Sequence, residues 1–348
     1  MKRTQLTMRD VAKALGLSVS TVSKALSGSY EISAATRSKV LEFAAEKDYV
    51  PNPIAKSLKY GESKSIGVVL STVDNHFYCK VIDGIESVAH QHGYNIIISQ
   101  SHESYEREVL NVKNLTSRAI DGLLISPSTE TVDYDFLKNL QQEGLKVVLF
   151  DRITNKMDTH KIASDNFQAA YKATAHFIEN GFKRIAHIGG SPNVSITIDR
   201  LEGYKKALLD NNRDIDDKYI QYCHHSGKTV EEVEEAIIHL LNLKYPPDAI
   251  FTATDRITTK TFFSLKRQKI MIPQQIALMG FTNTQLADVI SPSLSRIRQP
   301  AFEMGQLAMN KLLELIKRKK VVPDYETIVL NTTLEFYEST EKIVAVHL

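Results

Sequence analysis

Residues 7–28, TMRDVAKALGLSVSTVSKALSG, hold the side chains with the most specific chemistry in this chain. Ser18 is placed to cap a short helix whose outward residues are Val19, Ser20, Thr21, Ser23 and Lys24. Small polar side chains and a lysine at a helix start can approach base edges and phosphates in a major groove. The other side of that helix, Val22, Ala25 and Leu26, is apolar and faces inward. Thr7 caps a preceding helix, with Asp10 in a capping-box-like position and Val11, Ala14 and Leu15 at helical spacing. Gly16 ends that helix as a residue free to take positive φ, and Leu17 anchors the turn. A third helix is expected from Ser33 to Lys47, with Val40, Leu41, Ala44 and Ala45 inward. The expected DNA contacts also include the helix-start residues Thr7, Ser18, Ser33 and Thr36. The plain alternative is a helical hairpin with a solvated polar face.

Residues 49–63, YVPNPIAKSLKYGES, could do a different job on DNA. Asn52 is a cap, Pro53 sits at the first helical position and Gly61 is a stop. The two-turn helix between them is too short to be stable in water without a partner. It carries Ala55 and Leu58 on one face, with Lys56 and Lys59 beside them. A small apolar wedge flanked by cations suits insertion into a minor groove. The alternative is a linker that happens to be helical.

From about Lys64 short apolar runs alternate with amphipathic stretches. SIGVVLS, YNIIISQS, DGLLISP and KVVLFD alternate with helices near 79–92, 104–118 and 133–143. RIAHIGG, YIQYC, DAIFTAT and IALMGF follow, with helices near 167–180, 199–211, 229–242 and 256–268. This alternation calls for parallel sheets covered on both faces, about five strands in each of two similar lobes. The chain is expected to cross between lobes near 162–165. Residues 295–300, SRIRQP, are expected to return it to the first lobe, ahead of a helix at 302–318. A last strand near 327–336 is expected to rejoin the second lobe. The expected domains are a helix-turn-helix unit at 1–50, a hinge helix and linker at 51–63 and a core at 64–348. Within the core, the first lobe is expected at 64–163 and 295–326, the second at 164–294 and 327–348.

In such sheets ligands lie beyond the carboxyl ends of the strands. The residues there are Asn75, Phe77 and Tyr78 after the first strand, and Asp151 with Arg152 after KVVLF. Asn166 follows the lobe crossing, Ser191 and Arg200 follow RIAHIGG, Asp255 follows DAIFTAT, and Phe281 and Thr282 end IALMGF. Carboxylates, amides and arginines beside aromatic rings can bond sugar hydroxyls while the rings cover an apolar sugar face. Against this, strand-end aspartates also cap helices, and Asp151 with Arg152 is equally read as a surface ion pair.

The succession DVAKALGLSVSTVSKALSG, ISAATRSKV, YVPNPIAKSL resembles the head-piece of the lactose-repressor/galactose-repressor (LacI/GalR) family of bacterial transcription regulators. The resemblance continues through IASDN, RIAHIGG, RLEGYKKAL, PPDAIFTATD, IPQQIALMGF and SPSLSRIRQPAFEMGQLA. It implies a small all-α helix-turn-helix head-piece followed by an α/β core of two similar parallel-sheet lobes, periplasmic-binding-protein-like. It implies that Val19, Ser20 and Lys24 read bases and that Leu58 is the minor-groove wedge. It further implies that Asp151, Asn166, Arg200, Asp255 and Phe281 contact an effector. Pro53 departs from the family pattern. So do Thr282, in GFTN where many members have Gly-Phe-Asp-Asp, and Thr254, where Asn-Asp is usual. Those losses disfavour a simple free hexose. They favour a larger, modified or acidic sugar, or a protein co-regulator as in the catabolite-control branch.

Charge is uneven along the chain. Residues 1–64 hold eleven Lys and Arg against six Asp and Glu, while the whole chain is only +2, so a basic head precedes a slightly acidic body. Phosphate contact at one end accounts for that. The 348 residues are enough for large buried cores. No signal peptide or bilayer-length apolar run is apparent, so a soluble, cytoplasmic protein is expected. Cys79 and Cys223 make no framework, and the adjacent His224 and His225 would point to opposite strand faces without a third ligand. No catalytic set, metal or cofactor is expected. The expected partners are double-stranded DNA with a near-palindromic operator, a small-molecule effector, and a second copy in a homodimer rather than a tetramer. The rival readings are a sugar-binding protein without DNA function and an enzyme built on the lobes.

Overall fold

In the computed structural model, residues 6–49, 62–317 and 324–341 are described, and the chain divides into two compact units at Ser63/Lys64. The first unit contains helices α1 (Met8–Leu15), α2 (Val19–Leu26) and α3 (Ala34–Glu46). Its core is Val11, Ala12, Val22, Ala25, Val40, Ala44 and Tyr49. Ala14, Leu41 and Ala45, expected inward, are exposed. In helices of two to four turns a one-residue rotation of the stripe leaves the periodicity almost unchanged, and Ala12 and Tyr49 fill the core instead. Gly16 takes the left-handed conformation at φ 66°, so that the Leu17 N–H reaches the Ala12 carbonyl at 2.9 Å.

The second unit is built on two sheets. The first comprises β1 (Ser65–Leu70), β2 (Asn95–Gln100), β3 (Gly122–Ile125), β4 (Lys146–Phe150), β5 (His160–Ser164) and β11 (Thr327–Leu330), all parallel, in the order β11-β5-β4-β3-β1-β2. The second comprises β6 (Ile185–Gly189), β7 (Ile220–Tyr222), β8 (Ala249–Thr252), β9 (Ala277–Phe281), β10 (Ser295–Arg298) and β12 (Thr333–Glu335), in the order β12-β10-β9-β8-β6-β7. Only β12 runs antiparallel to its neighbour. The inner strands are buried along their whole length, as sheets covered on both faces require.

Helices α4 (His76–Gln91), α5 (Tyr105–Thr116), α6 (Asp135–Gln142) and α11 (Ala301–Lys317) belong to the first lobe. Helices α7 (Asn166–Glu179), α8 (Ser195–Asp210), α9 (Val230–Leu241) and α10 (Asp255–Arg267) belong to the second. Each lobe contains one very close helix pair. A Cβ on Gly84 would stand 2.1 Å from the Phe302 carbonyl oxygen, and one on Gly305 2.1 Å from that of Val81, so α4 and α11 meet backbone to backbone. In the second lobe a Cβ on Gly203 would stand 2.3 Å from the Phe167 carbonyl oxygen.

Three expectations about connectivity need correction. Among the described residues each lobe has six strands: β5, read only as a crossing, pairs with β4 and β11 in the first, and β10 and β12 complete the second. SRIR forms β10 inside the second sheet, so the return to the first lobe comes just after it, at Gln299-Pro300. The last strand is two: β11 joins the first sheet and β12 the second. The chain therefore crosses between lobes at residue 165, at 299–300 and at 331–332.

Candidate functional site

On the first unit, the N-termini of the three helices are held by side-chain caps. The Thr7 N–H donates to Asp10 Oδ2 at 2.9 Å and the Asp10 N–H to Thr7 Oγ1 at 3.3 Å. The Thr21 N–H donates to Ser18 Oγ at 3.0 Å, and the Thr36 N–H to Ser33 Oγ at 3.3 Å. Thr21 and Thr36 also share hydroxyl hydrogen bonds with Ser18 and Ser33. The hydroxyls singled out for DNA contact thus first fix the helix starts. On α2, Val19 and Ser20 are exposed, and Ser23 and Lys24 are partly so. Lys24 is in direct contact with Glu31, an ion pair not foreseen from the sequence. Asn52, Ala55, Lys56, Leu58 and Lys59 lie outside the described residues.

In the second unit, a cavity of about 50 Å³ lies between the lobes at the carboxyl ends of the strands. Seven of the sequence-selected residues line it: Asn75, Phe77, Tyr78, Asp151, Arg152, Arg200 and Asp255. Asn166, Ser191, Phe281 and Thr282 do not. Instead, Asn166 accepts a hydrogen bond from Arg200 Nε at 2.9 Å, and the Phe281 ring lies 3.5 Å under that guanidinium. Thr282 donates its hydroxyl to Asp255, and the Ser191 N–H donates to Ser226 Oγ at 3.5 Å. These four residues position or adjoin the cavity wall. Among the residues that complete the lining, Glu103, Ser226, Arg256 and Gln299 had no sequence signal as ligand groups.

The charged groups are tied in pairs. Arg152 is buried, not a surface partner of Asp151 as its sequence position allowed. It grips Glu103 with both terminal nitrogens, at 2.6 and 2.9 Å, and donates to the Pro127 carbonyl at 3.0 Å. Burial opposes the charge on Glu103, but Arg152 and the Thr129 N–H hold its carboxyl down to about 2. Asp151, at φ 60°, accepts the Tyr78 hydroxyl at 2.9 Å. Burial pushes the Asp151 carboxyl up, while Arg152 and Arg200 act the other way. Burial also raises the Tyr78 hydroxyl, which therefore stays a donor at neutral pH.

Arg200 is 2 % exposed. Burial pulls its guanidinium down to about 10, which still leaves it charged. One terminal nitrogen donates to the Ala253 carbonyl, and the other, Nη2, has no partner among the described residues. A buried donor left open in a polar cavity is a place for a ligand acceptor. Burial pushes Asp255 up, against hydrogen bonds from Thr282 and the Asn283 N–H. Phe77 and Tyr78 pack edge to face at 5.2 Å on the same wall. Carboxylate acceptors, guanidinium donors and an aromatic wall together suit a molecule with several hydroxyls and an apolar face.

A second cavity, of about 350 Å³, adjoins the first and shares Arg152 with it. Residues 127–134 and 152–156 of the first lobe and 193–199 of the second contribute to its wall. His224 and His225 sit in a turn after β7, not on a strand. Among the described residues, no helix is long and apolar enough to cross a membrane.

Residues 7–52 match the family described as bacterial regulatory proteins, lacI family. Residues 63–340 match the periplasmic binding proteins and sugar binding domain of the LacI family. The chain is 32% identical to the ribose operon repressor of Haemophilus influenzae, over 96% of this chain and 98% of that protein. It is 29% identical to catabolite control protein A of Priestia megaterium, over 97% and 99%. Its fold is similar to that of the lac repressor dimer bound to operator and an anti-inducer, with a TM-score of 0.83 at 22% identity, covering 97% of this chain and 99% of that one.

Proposed function

Given that the chain belongs to the lacI family of bacterial regulatory proteins, we propose that a small sugar-like molecule in the inter-lobe cavity controls its binding to an operator. The chain is a DNA-binding transcriptional regulator of the repressor type. The observation that carries the effector reading is the cavity itself, where Asp151 of the first lobe and Arg200 of the second line one space. A ligand touching both lobes favours their closed arrangement. It changes DNA affinity only to the extent that it binds the two arrangements unequally.

On DNA, Val19, Ser20 and Lys24 of α2 read base edges, while Thr7, Ser18, Thr21, Ser23, Ser33 and Thr36 lie against the backbone. Leu58 is the minor-groove wedge, flanked by Lys56 and Lys59, in a hinge helix begun at Asn52 and containing Ala55. Two copies on one two-fold axis bind a near-palindromic site in the cytoplasm. The experiment is selection of DNA from a random or genomic fragment pool by the purified chain at fixed, near-physiological salt. Enrichment of a two-fold symmetric site, followed by a change in its affinity with candidate sugars, is the expected result. Absence of enrichment, with and without the sugars, overturns the operator reading. An enriched site whose affinity no candidate changes overturns control by the molecules tried.

A further inference from the structure

We infer that the effector is a phosphorylated sugar, its hydroxyl-bearing ring in the inner cavity and its phosphate in the outer one. This rests on the reading of the inter-lobe cleft as the effector site. The two cavities differ in what their walls offer. Three guanidiniums, Arg152, Arg200 and Arg256, line the inner cavity with three carboxylates, Glu103, Asp151 and Asp255. That balance suits a neutral polyol. Arg152, paired with Glu103, and Lys156 line the outer cavity with a single carboxylate of its own, Asp199, which is exposed.

Donors beside the outer cavity are not fully spent. Arg152 Nε is buried and has no partner among the described residues. The Lys156 ammonium reaches only the Val132 carbonyl, at 2.9 Å, and has no carboxylate within 4.0 Å among the described residues. Lys156 is exposed and lines the cavity, with two ammonium protons not bonded to the described residues. The sixteen-residue helix α8 opens onto the same space, and its cap position, Val194, supplies no side-chain acceptor for the first N–H groups. A helix N-terminus and two cations converging on one cavity favour a compact anion with several acceptor oxygens. Because Arg152 lines both cavities, one molecule can present hydroxyls to the inner and a phosphate to the outer.

The test is calorimetric titration of the full chain with glucose, fructose and ribose, each beside its terminal phosphate ester, and with glucuronate. At least one ester is expected to bind about tenfold or more tighter than its parent sugar, with an advantage that shrinks as salt rises. Lys156→Gln is expected to remove most of that advantage and leave the parent sugar's Kd unchanged. Ser195→Asp puts a fixed negative charge at the start of α8, where a helix is stabilised by it, so the fold is retained. It is expected to abolish ester binding alone. Esters that bind no tighter than their parents, or an advantage that both variants leave intact, overturn the phosphate site while the effector reading stands. Preference for glucuronate over every ester also overturns it, in favour of a carboxylate. Failure of every probe to bind overturns the phosphate site and, with it, control by the sugars tried.

Discussion

Glu108 stands in the first turn of α5. It is fully buried, with Oε2 accepting the Ser128 N–H at 2.6 Å and Oε1 the Thr131 hydroxyl at 2.7 Å. Burial raises its carboxyl to about 7, outweighing those bonds and the nearby Arg152. A carboxyl raised by folding binds its proton more tightly in the folded state. Its contribution is therefore complete below the unfolded value near 4.5 and is lost as pH rises through 7. Glu108→Gln is expected to flatten stability between those limits and to add about 1–3 kcal/mol at pH 8, read by urea unfolding across pH. Glu103 behaves oppositely: its stabilisation is present above 4.5 and lost as pH falls toward 2. Glu103→Gln leaves the Arg152 guanidinium buried without its carboxylate, and is expected to cost about 3–5 kcal/mol. On α2, Glu31→Gln releases Lys24 from its ion pair. DNA affinity should rise by a few-fold, consistent with an exposed pair worth about 0–1 kcal/mol. Unchanged affinity in a gel-shift titration would show that Lys24 reaches DNA without leaving Glu31. Asp151 was legible as a strand-end group; Arg200, expected at a helix start near 199, stands in the second turn of α8, which begins at Ser195. Glu103 was not legible, because its partner Arg152 lies 49 residues away and no local pattern announces it.

At the scale of elements, the caps and stops could be read directly. Thr7, Asp10, Gly16, Ser18 and Ser33 act locally, and local chemistry is what a sequence displays. Sheet membership could not be read. SRIR and TIVL have strand composition, but composition does not say which of two parallel sheets takes them, and only the pairing with β9 and β5 decides. The helix crossings were equally hidden, since Gly84, Gly203 and Gly305 read as weak helix positions rather than contact points. Gly84→Ala and Gly305→Ala must each push α4 away from α11, since the obstructing atom is backbone. Each should destabilise the core by about 3 kcal/mol. Gly93→Ala is the comparison: it has open space but a φ of 69°, and should cost only about 1–2 kcal/mol. Equal losses in urea unfolding would show that the helix pair adjusts freely.

For the whole molecule, two compact units divide the work, and the division is testable. The unit from Lys64 onward has its own two sheets and cores. A chain beginning at residue 62 is expected to keep its Kd for the effector within about twofold and to lose operator binding, as independent domains do. A collapse of ligand affinity in the shortened chain would mean that the cavity depends on the head unit. Between the lobes, Gln299 Nε2 donates to Ser164 Oγ at 3.0 Å, so the first and second crossings are bonded to each other. Lobe motion is thus channelled through a few backbone segments rather than a single free joint.

The three crossings have a consequence for how such a chain can be inherited. The head unit occupies one uninterrupted stretch ending at Ser63, so a single recombination event can transplant it onto another core. Neither lobe offers that. The first sheet needs β1 through β5 and then β11, and the second needs β6 through β10 and then β12, so each lobe is written in two separated pieces of the gene. New DNA addresses can be acquired by exchange. A new ligand preference comes with a whole core or by substitution within it, since neither lobe can be exchanged as one piece.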